Sequence, residues 1–131
     1  MRLMLDTNRY DDLNRGDPAV VRRVATASEV WLSVIVIGEL RAGFLLGSQR
    51  KRNERFLARF LSTPNVDILF LSEETTEYFA RVFVDLTNKG RPISPNDLWI
   101  AALALQHDLN LDTRDQDFQH VTGLKLVPAQ P

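Results

Sequence analysis

Cysteine is absent from the sequence, and histidine occurs only twice. The first absence excludes disulfides, thiol catalysis and cysteine-ligated zinc, and it favours a reducing cytoplasm. The two histidines, His107 and His120, lack the spacing of a metal-ligand pair. No uncharged apolar run is long enough to cross a membrane, and no apolar segment of the signal-peptide type follows the first residues. We therefore expect a cytoplasmic protein without a membrane partner.

Neither sign of charge dominates, because 16 basic residues face 17 acidic ones and the formal net charge is −1. Total charge therefore gives no indication of nucleic-acid binding. Residues 48–59 are the exception, since they contain Arg50, Lys51, Arg52, Arg55 and Arg59 against the single acid Glu54. Such a run is either a solvated helix face or a surface that contacts RNA phosphates, with Arg50 and Arg52 as candidate contacts.

The length of 131 residues predicts a single domain over residues 1–131. Strand-like segments at 1–5, 30–33, 66–70, 109–112 and 125–127 alternate with helical patterns. The expected helices lie at 10–14, 18–26, 35–47 and 49–61, then after the cap Ser72 and after Ser94-Pro95. Alternating strands and helices predict an α/β fold with a parallel sheet covered on both faces.

Four carboxylates occupy positions that folding alone does not easily explain: Asp6, Glu39, Asp97 and Asp115. They follow strands or lie in otherwise apolar helical stretches, so an α/β fold can bring them to one cleft. A cluster of carboxylates repels itself and must take up protons or hold a cation. Oxygen ligands without nearby His or Cys favour Mg²⁺ or Mn²⁺. This combination indicates phosphodiester chemistry.

Each acid also has a purely structural interpretation. Asp6 fits a turn or helix cap after a strand, and Asp97 fits the third helical position of a capping box. Glu39 could pair with an arginine from elsewhere, although not with Arg41, because residues two apart do not share a helix face. Asp115 fits a polar turn. These alternatives remain open at the level of sequence.

The segment around Asp115 contains two further acids with different expected places. We expect a short helix to begin at Asp115, with Phe118 turned into the core. Asp115 would then face the cleft, and Asp117 would cap or orient from outside. Asp112, which ends a strand, is expected to be peripheral and to cost stability through desolvation.

Four short blocks together resemble the motifs of PIN-domain ribonucleases, and of VapC-type toxins with their FitB-like branch in particular. The resemblance covers roughly residues 1–126, and the blocks occur in the family's order and spacing. They are Leu5-Asp6-Thr7-Asn8, Gly38-Glu39-Leu40-Arg41-Ala42-Gly43, Pro95-Asn96-Asp97-Leu98-Trp99-Ile100-Ala101-Ala102 and Thr113-Arg114-Asp115-Gln116-Asp117-Phe118. One departure is Asp112, because the family usually has an aliphatic residue at that position.

The resemblance implies a PIN-like three-layer α/β/α sandwich with a central, mostly parallel sheet. It also implies a Mg²⁺-dependent endoribonuclease toxin, with Mn²⁺ as a substitute, which cleaves structured RNA and is expected to act on tRNA. A homodimer and a small cognate antitoxin are the implied protein partners. Apart from the resemblance, a dimer is favoured by the aromatic-rich surface expected from Phe60, Phe79 and Phe83, which are more rings than one small core easily covers. By position, the catalytic acids are Asp6, Glu39, Asp97 and Asp115; the first, third and fourth would bind the metal. Thr7, Asn8, Asn96, Thr113 and Asp117 are expected to orient them.

Two other functions compete with this interpretation. The first is a catalytically inactive PIN-like domain that serves as a binding module, against which the complete set of four acids argues. The second is a phosphoacceptor receiver-like domain, which needs an acidic pair after its first strand and a lysine near the end of its last strands. Asp6-Thr7-Asn8 offers one acid, and Lys125 lies beyond the expected place.

Overall fold

Strands and helices alternate along residues 1–128, the part of the chain that this computed structural model describes. Its elements are β1 Arg2–Leu5, α1 Thr7–Asn14, α2 Pro18–Thr26, β2 Glu29–Ser33, α3 Val34–Leu46, α4 Arg50–Leu61, β3 Val66–Leu69, α5 Glu73–Asn88, α6 Pro95–Gln106, β4 Asn110–Asp112 and β5 Lys125–Leu126. A 3₁₀ helix, Gln116–His120, lies between β4 and β5. The α/β class is confirmed; the last three residues of the predicted 1–131 domain lie outside the described part.

The strands form one sheet in the order β3-β2-β1-β4-β5, and each neighbouring pair is parallel. Crossovers between parallel strands are right-handed. The chain steps from β1 to β2 to β3 in one direction and then returns to β4. Helices α1 to α4 therefore cover one face of the sheet, and α5 and α6 cover the other. This arrangement confirms the predicted three-layer sandwich.

The strand order also excludes the receiver-like alternative. Receiver-type sheets have the order 2-1-3-4-5. Here the first strand lies between the second and the fourth. The receiver-like alternative that the sequence left open is therefore wrong.

The strand order reverses between β1 and β4, and this reversal marks where a cleft opens at the carboxyl ends of the strands. In open α/β sheets, ligands bind beyond the carboxyl ends of the strands at such a switch point. Leu5 of β1 pairs in register with Asp112 of β4. The two strands therefore end at the same level, and the residues that follow them, Asp6 and Thr113, emerge side by side.

Helix α1 begins three residues earlier than its sequence pattern predicts. The expected start was Tyr10, whereas the helix begins at Thr7. The reason is local: Asp6 is the N-cap, and its side chain accepts a hydrogen bond from the backbone N–H of Thr7. The start of α1 is therefore fixed directly against the end of β1.

Helix α6 is buried almost all round, as its uniformly apolar sequence predicts. Its residues Leu98, Ile100, Ala101, Ala102, Leu103 and Ala104 belong to the core. A helix without a polar face needs cover on every side, and α5 and the sheet provide it. Within residues 1–128, no helix combines the length and apolarity needed to cross a membrane.

The expected surface of exposed aromatic rings is largely absent from the described chain. Phe60 is buried, and its ring centroid lies 5.6 Å from that of Tyr10. Phe79 packs against Trp99, with centroids 4.1 Å apart. Only Phe83 of the three predicted rings is strongly exposed. The core has room for the other two because α1 packs near α4 and α5 packs against α6.

Candidate active site

Asp6 lies at the centre of the cleft between the ends of β1 and β4. It is 5% exposed. Its Oδ1 accepts the Thr7 N–H at 2.8 Å, and its Oδ2 accepts the Thr113 hydroxyl at 2.7 Å and the Asn8 amide at 3.3 Å. Burial raises the pKa of Asp6, with smaller contributions in the same direction from the charges of Glu39 and Asp115. The hydrogen bonds from Thr113 and Thr7 oppose that shift.

Glu39 extends from α3 towards the same cleft. Its Oε1 accepts the hydroxyl of Thr7 at 2.8 Å, and its Oε2 accepts the amide of Asn96 at 3.4 Å. Arg41 instead pairs with Glu54 on α4 at 3.3 Å. Glu39 is therefore held by neutral donors from α1 and α6, and in residues 1–128 the alternative of an arginine partner is not realised.

Asp97 occupies the third position of α6, as its interpretation as a capping residue predicted, and its role towards a metal stays a prediction. Ser94 caps α6, and its hydroxyl accepts the backbone N–H of Asp97 at 3.2 Å. The Asp97 side chain is half-buried, and burial is the main reason that its pKa rises to about 6. Repulsion by Asp6, Asp115 and Glu39 adds to the rise. Asp97 therefore lies within electrostatic reach of the other three carboxylates.

Asp115 starts the short helix, as the sequence predicted. It is the N-cap of the 3₁₀ helix, and its Oδ1 accepts the Asp117 N–H at 2.9 Å. Phe118 is buried in the core, which confirms the predicted turn. Asp117 lines a separate cleft of about 230 Å³ with Gly90, Arg91, Pro92 and His120. The two acids thus face different surroundings, and their functional roles stay predictions.

Thr113 connects the carboxylate of Asp6 to the backbone of Asp115. Besides donating to Asp6, its hydroxyl oxygen accepts the Asp115 N–H at 3.0 Å and lies 3.4 Å from the Asn8 amide nitrogen. Asn8 in turn accepts the N–H of Arg114 at 3.0 Å. The predicted orienting residues thus contact the acids, except that Asp117 does so through its backbone alone. Whether they orient a metal site remains a prediction.

The candidate RNA contacts Arg50 and Arg52 lie apart from the acids. Both are exposed in the first turn of α4 and line a cleft of about 790 Å³ together with Ser48, Gln49, Lys51, Glu54 and Arg55. A second cleft, of about 320 Å³, extends from Thr7 and Glu39 along α1 and α3 to Asn53 of α4. The surface thus offers a route from the acids towards the basic residues, and both interpretations of the basic run remain open.

Sequence reasoning missed the burial of Asp112 and its two arginine partners. This residue is 1% exposed, and Arg9 and Arg23 donate to its carboxylate. The expectation of a peripheral acid is therefore wrong, and the two arginines compensate the charge whose desolvation was expected to cost stability. The two arginines lie 103 and 89 residues away along the chain. No local pattern links them to Asp112; only the pairing of β4 with β1 brings the three together.

The four acids have the donor chemistry of a divalent-cation site. In residues 1–128, none of them forms an ion pair with a basic side chain. Uncompensated carboxylates and neutral amide and hydroxyl neighbours fit a hard cation such as Mg²⁺. Over the same residues, no three acidic or imidazole side chains stand close enough to ligate one ion as they are placed. A cation held by three of these carboxylates would need their side chains to move closer together, or water molecules between the side chains and the ion.

The stability of the metal-free protein should decrease as the pH rises through about 6. The pKa of Asp97 is raised from 3.8 to about 6, so the folded state keeps a proton that the unfolded chain releases. This contribution is fully present below pH 3.8 and is lost as the pH passes the folded pKa. The pKa of Asp6 is shifted in the same direction. Asp85 and Asp108 have lowered pKa values and titrate below this window.

Thermal melts between about pH 5 and about pH 7.5 measure this effect. Asp97→Asn removes the titrating group, so the melting temperature of the variant should decrease less over the same range. Its melting temperature at about pH 7.5 should exceed that of the unsubstituted chain by a few degrees. Parallel pH profiles for the two proteins would show that Asp97 does not carry the shift.

Comparison with known proteins identifies the family. A PIN-domain family model matches residues 3–124. The chain is 32% identical to Ribonuclease VapC5 of Mycobacterium tuberculosis over 95% of this chain and 90% of that protein. It is 33% identical to Toxin FitB of Neisseria gonorrhoeae over 86% and 87%. The chain therefore belongs to the PIN-domain family, among the VapC-type ribonuclease toxins of toxin–antitoxin systems, which confirms the resemblance in the sequence.

Two further comparisons bear on fold and substrate. The crystal structure of VapBC2 from Rickettsia felis, bound to a DNA fragment from its promoter, superimposes with a TM-score of 0.87 at 27% identity, covering 97% of this chain and 98% of that one. The tRNA(fMet)-specific endonuclease VapC of Shigella flexneri is 27% identical over 95% of this chain and 96% of that protein. The fold of this chain is thus that of the solved toxin.

Proposed function

We propose that this protein is a Mg²⁺-dependent endoribonuclease that cleaves structured RNA, with tRNA as its substrate. The observation that carries the proposal is the convergence of four carboxylates linked through Thr7, Asn96 and Thr113, none of them paired with a basic side chain in residues 1–128. Such a group is costly to the fold unless it serves a cation. The absence of cysteine suits the reducing cytoplasm, where we place the activity.

Asp6, Asp97 and Asp115 would hold the cation, and Glu39 would complete the ring of acids. When bound, Mg²⁺ (or Mn²⁺) would activate a water molecule and stabilise the charge that develops on the phosphate. The chain itself supplies orientation. Thr7 holds Glu39 and Asp6 through its hydroxyl and its N–H, so a single residue sets both acids relative to each other.

The position of Asp115 leads to a comparison of two matched substitutions. Asp115→Asn should lower the metal-dependent rate of RNA cleavage more than Asp117→Asn does. The Asp115 charge acts on Asp6 and Asp97, whereas Asp117 lines the separate cleft beside Arg91. Asparagine caps a helix nearly as well as aspartate, so both changes remove a charge and leave the turn intact. A larger loss in Asp117→Asn would reassign the fourth acid.

Transfer RNA is the proposed substrate because of the similarity to the Shigella enzyme and because of the charge distribution. The basic residues of α4, Arg50 and Arg52 among them, offer phosphate contacts apart from the acids, on a surface that the cleft from Glu39 to Asn53 approaches. Incubating the purified protein with total cellular RNA and sequencing the new ends tests this. We expect discrete cuts in one or a few tRNAs; cuts only in other RNAs would contradict the substrate.

The alternative of a catalytically inactive binding module makes a different prediction. A binding module would retain RNA in a gel-shift assay and leave it whole in the presence of Mg²⁺. Asp97→Asn would then change neither result. If the unsubstituted chain cleaves RNA, and Asp97→Asn abolishes cleavage but still binds RNA, the protein is an enzyme and not a binding module.

We further propose that a small cognate antitoxin inserts a basic residue into the acidic cleft near Glu39 and Asp97. An arginine pairs bidentately with carboxylates, and these carboxylates have no cationic partner within the described chain. Leu45 and Leu46, the latter 90% exposed, offer apolar contacts on α3 for a partner helix. Co-expression with the neighbouring small protein should suppress toxicity and RNA cleavage. Unchanged cleavage would contradict the proposal.

A homodimer is the last part of the proposed function. Phe83 and Val84 of α5 are exposed and apolar, although the burial of Phe60 leaves this surface smaller than the sequence suggested. A dimer would cover them and place two acidic clefts along one RNA-binding surface. Light scattering at high micromolar concentration should give the mass of two chains. A monomer under those conditions would rule the dimer out.

A further inference from the structure

A network of ion pairs is centred on the buried Asp112, next to the segment that carries Thr113 and Asp115. Arg23 donates to both carboxylate oxygens of Asp112, at 2.8 Å from Nε and 3.2 Å from Nη2, and Arg9 Nε donates to Oδ1 at 3.1 Å. Arg9 also contacts Asp12 at 3.1 Å, and Asp12 lies 3.0 Å from Nε of Arg114. The network therefore joins α1, α2, the end of β4 and the segment that follows β4.

The same segment carries both the network and the candidate active site. Between β4 and the 3₁₀ helix, successive residues make contacts in alternate directions. Asp112 and Arg114 contact the network, whereas Thr113 donates to Asp6 and accepts the N–H of Asp115. Alternation of this kind is expected in extended backbone. The ion pairs of Asp112 and Arg114 therefore fix the direction in which Thr113 and Asp115 face.

Two hydrogen bonds of the backbone connect the network to Asp6, one directly and one through the side chain of Asn8. The carbonyl of Asp112 accepts the N–H of Asp6 at 3.0 Å, and the N–H of Arg114 donates to Asn8 at 3.0 Å. Any rotation of the segment after β4 relative to α1 would therefore change where Asp115 stands relative to Asp6. The ion network opposes such a rotation, because breaking any of its ion pairs with Asp112 would leave a buried charge poorly compensated.

We propose that Asp112, held between Arg9 and Arg23, is a positioning residue that sets the separation of Asp6 and Asp115 for binding of a divalent cation. The inference rests on the proposed function, in which these two acids hold the cation. Asp112 itself touches neither cation nor RNA. Loss of a group that orients metal ligands lowers metal affinity by about 10–100-fold in other proteins.

The affinity for Mn²⁺, measured by calorimetry on the full chain, tests this inference. Asp112→Asn should bind Mn²⁺ about 10–100-fold more weakly than the unsubstituted chain. Arg23→Lys keeps the positive charge but loses the two-pronged contact, so it should weaken binding by a smaller factor. Asp108→Asn is the matched control, because Asp108 precedes the same strand and pairs with Lys125 at 2.8 Å on the surface. Its Mn²⁺ affinity should be unchanged.

The outcomes separate this inference from the function on which it rests. If the unsubstituted chain binds no Mn²⁺, the proposed metal-dependent function fails, and the inference fails with it. If it binds Mn²⁺ and Asp112→Asn, shown to be folded by circular dichroism, binds equally well, only the positioning role is overturned. Should Asp112→Asn not fold, Arg23→Lys decides: weaker binding supports the role, and unchanged affinity overturns it. A purely structural role would leave the Mn²⁺ affinity of the folded variants unchanged.

Discussion

Asp6→Asn should reduce metal-dependent RNA cleavage on the order of 10³-fold while the chain stays folded. That loss corresponds to about 4 kcal/mol of transition-state stabilisation, the scale expected when a metal ligand is removed. The fold should persist because Asp6 is buried beside Glu39 and Asp115, and removing its charge relieves both desolvation and repulsion. Single-turnover cleavage of the identified RNA, together with a thermal melt, measures both effects.

Asp67→Asn is a suitable control for that experiment. Asp67 is an exposed acid on β3, away from the cleft at the ends of β1 and β4. This variant should cleave RNA at the rate of the unsubstituted chain. That result would show that the loss of activity in Asp6→Asn does not come from the change of one formal charge alone. If Asp6→Asn retained more than about a tenth of the rate, a loss of less than about 1.4 kcal/mol, Asp6 would not be a ligand of the reacting centre.

Asp112→Leu should lower the free energy of unfolding by up to about 3–5 kcal/mol, because it leaves the partly buried guanidinium groups of Arg9 and Arg23 without their shared partner. This is the opposite of what the sequence alone suggested, where an aliphatic residue at the end of β4 looked favourable. Urea unfolding followed by circular dichroism gives the difference directly.

A triple variant provides the matched comparison. Asp112→Leu combined with Arg9→Met and Arg23→Met removes every charge of the triad. Apolar replacement of a whole buried ion cluster is often neutral or stabilising, so most of the stability should return. An Asp112→Leu variant as stable as the unsubstituted chain would mean that solvent fully compensates the two partly exposed arginines once Asp112 is gone.

Much of the fold could be predicted because its signals are local. The apolar start of the chain gave β1, Asp17-Pro18 gave the beginning of α2, and Ser94-Pro95 gave the beginning of α6. Capping residues and helical periodicity act within one or two turns, so the sequence shows them directly. The start of α1 was predicted three residues too late because Asp6, directly after β1, is itself the helix cap and leaves no turn between the strand and the helix.

In the candidate site, too, the features with local sequence signals could be predicted and the long-range contacts could not. The four acids could be found because each is an unusual charge in its own short block. The partners of Asp112 could not, since Arg9 and Arg23 reach it only through the pairing of β1 with β4 and the packing of α2. The burial of Phe60 against Tyr10 was missed for the same reason, because α1 and α4 meet only in the folded chain.

The dependence of RNA cleavage on Mg²⁺ tests the central claim most directly. The protein should be treated with EDTA, transferred to metal-free buffer and assayed on the same RNA as Mg²⁺ is added back. The acidic cleft predicts no cleavage in EDTA, a rate that rises with Mg²⁺ to saturation, and recovery with Mn²⁺ in its place. Cleavage that continues at an undiminished rate in EDTA would contradict the account.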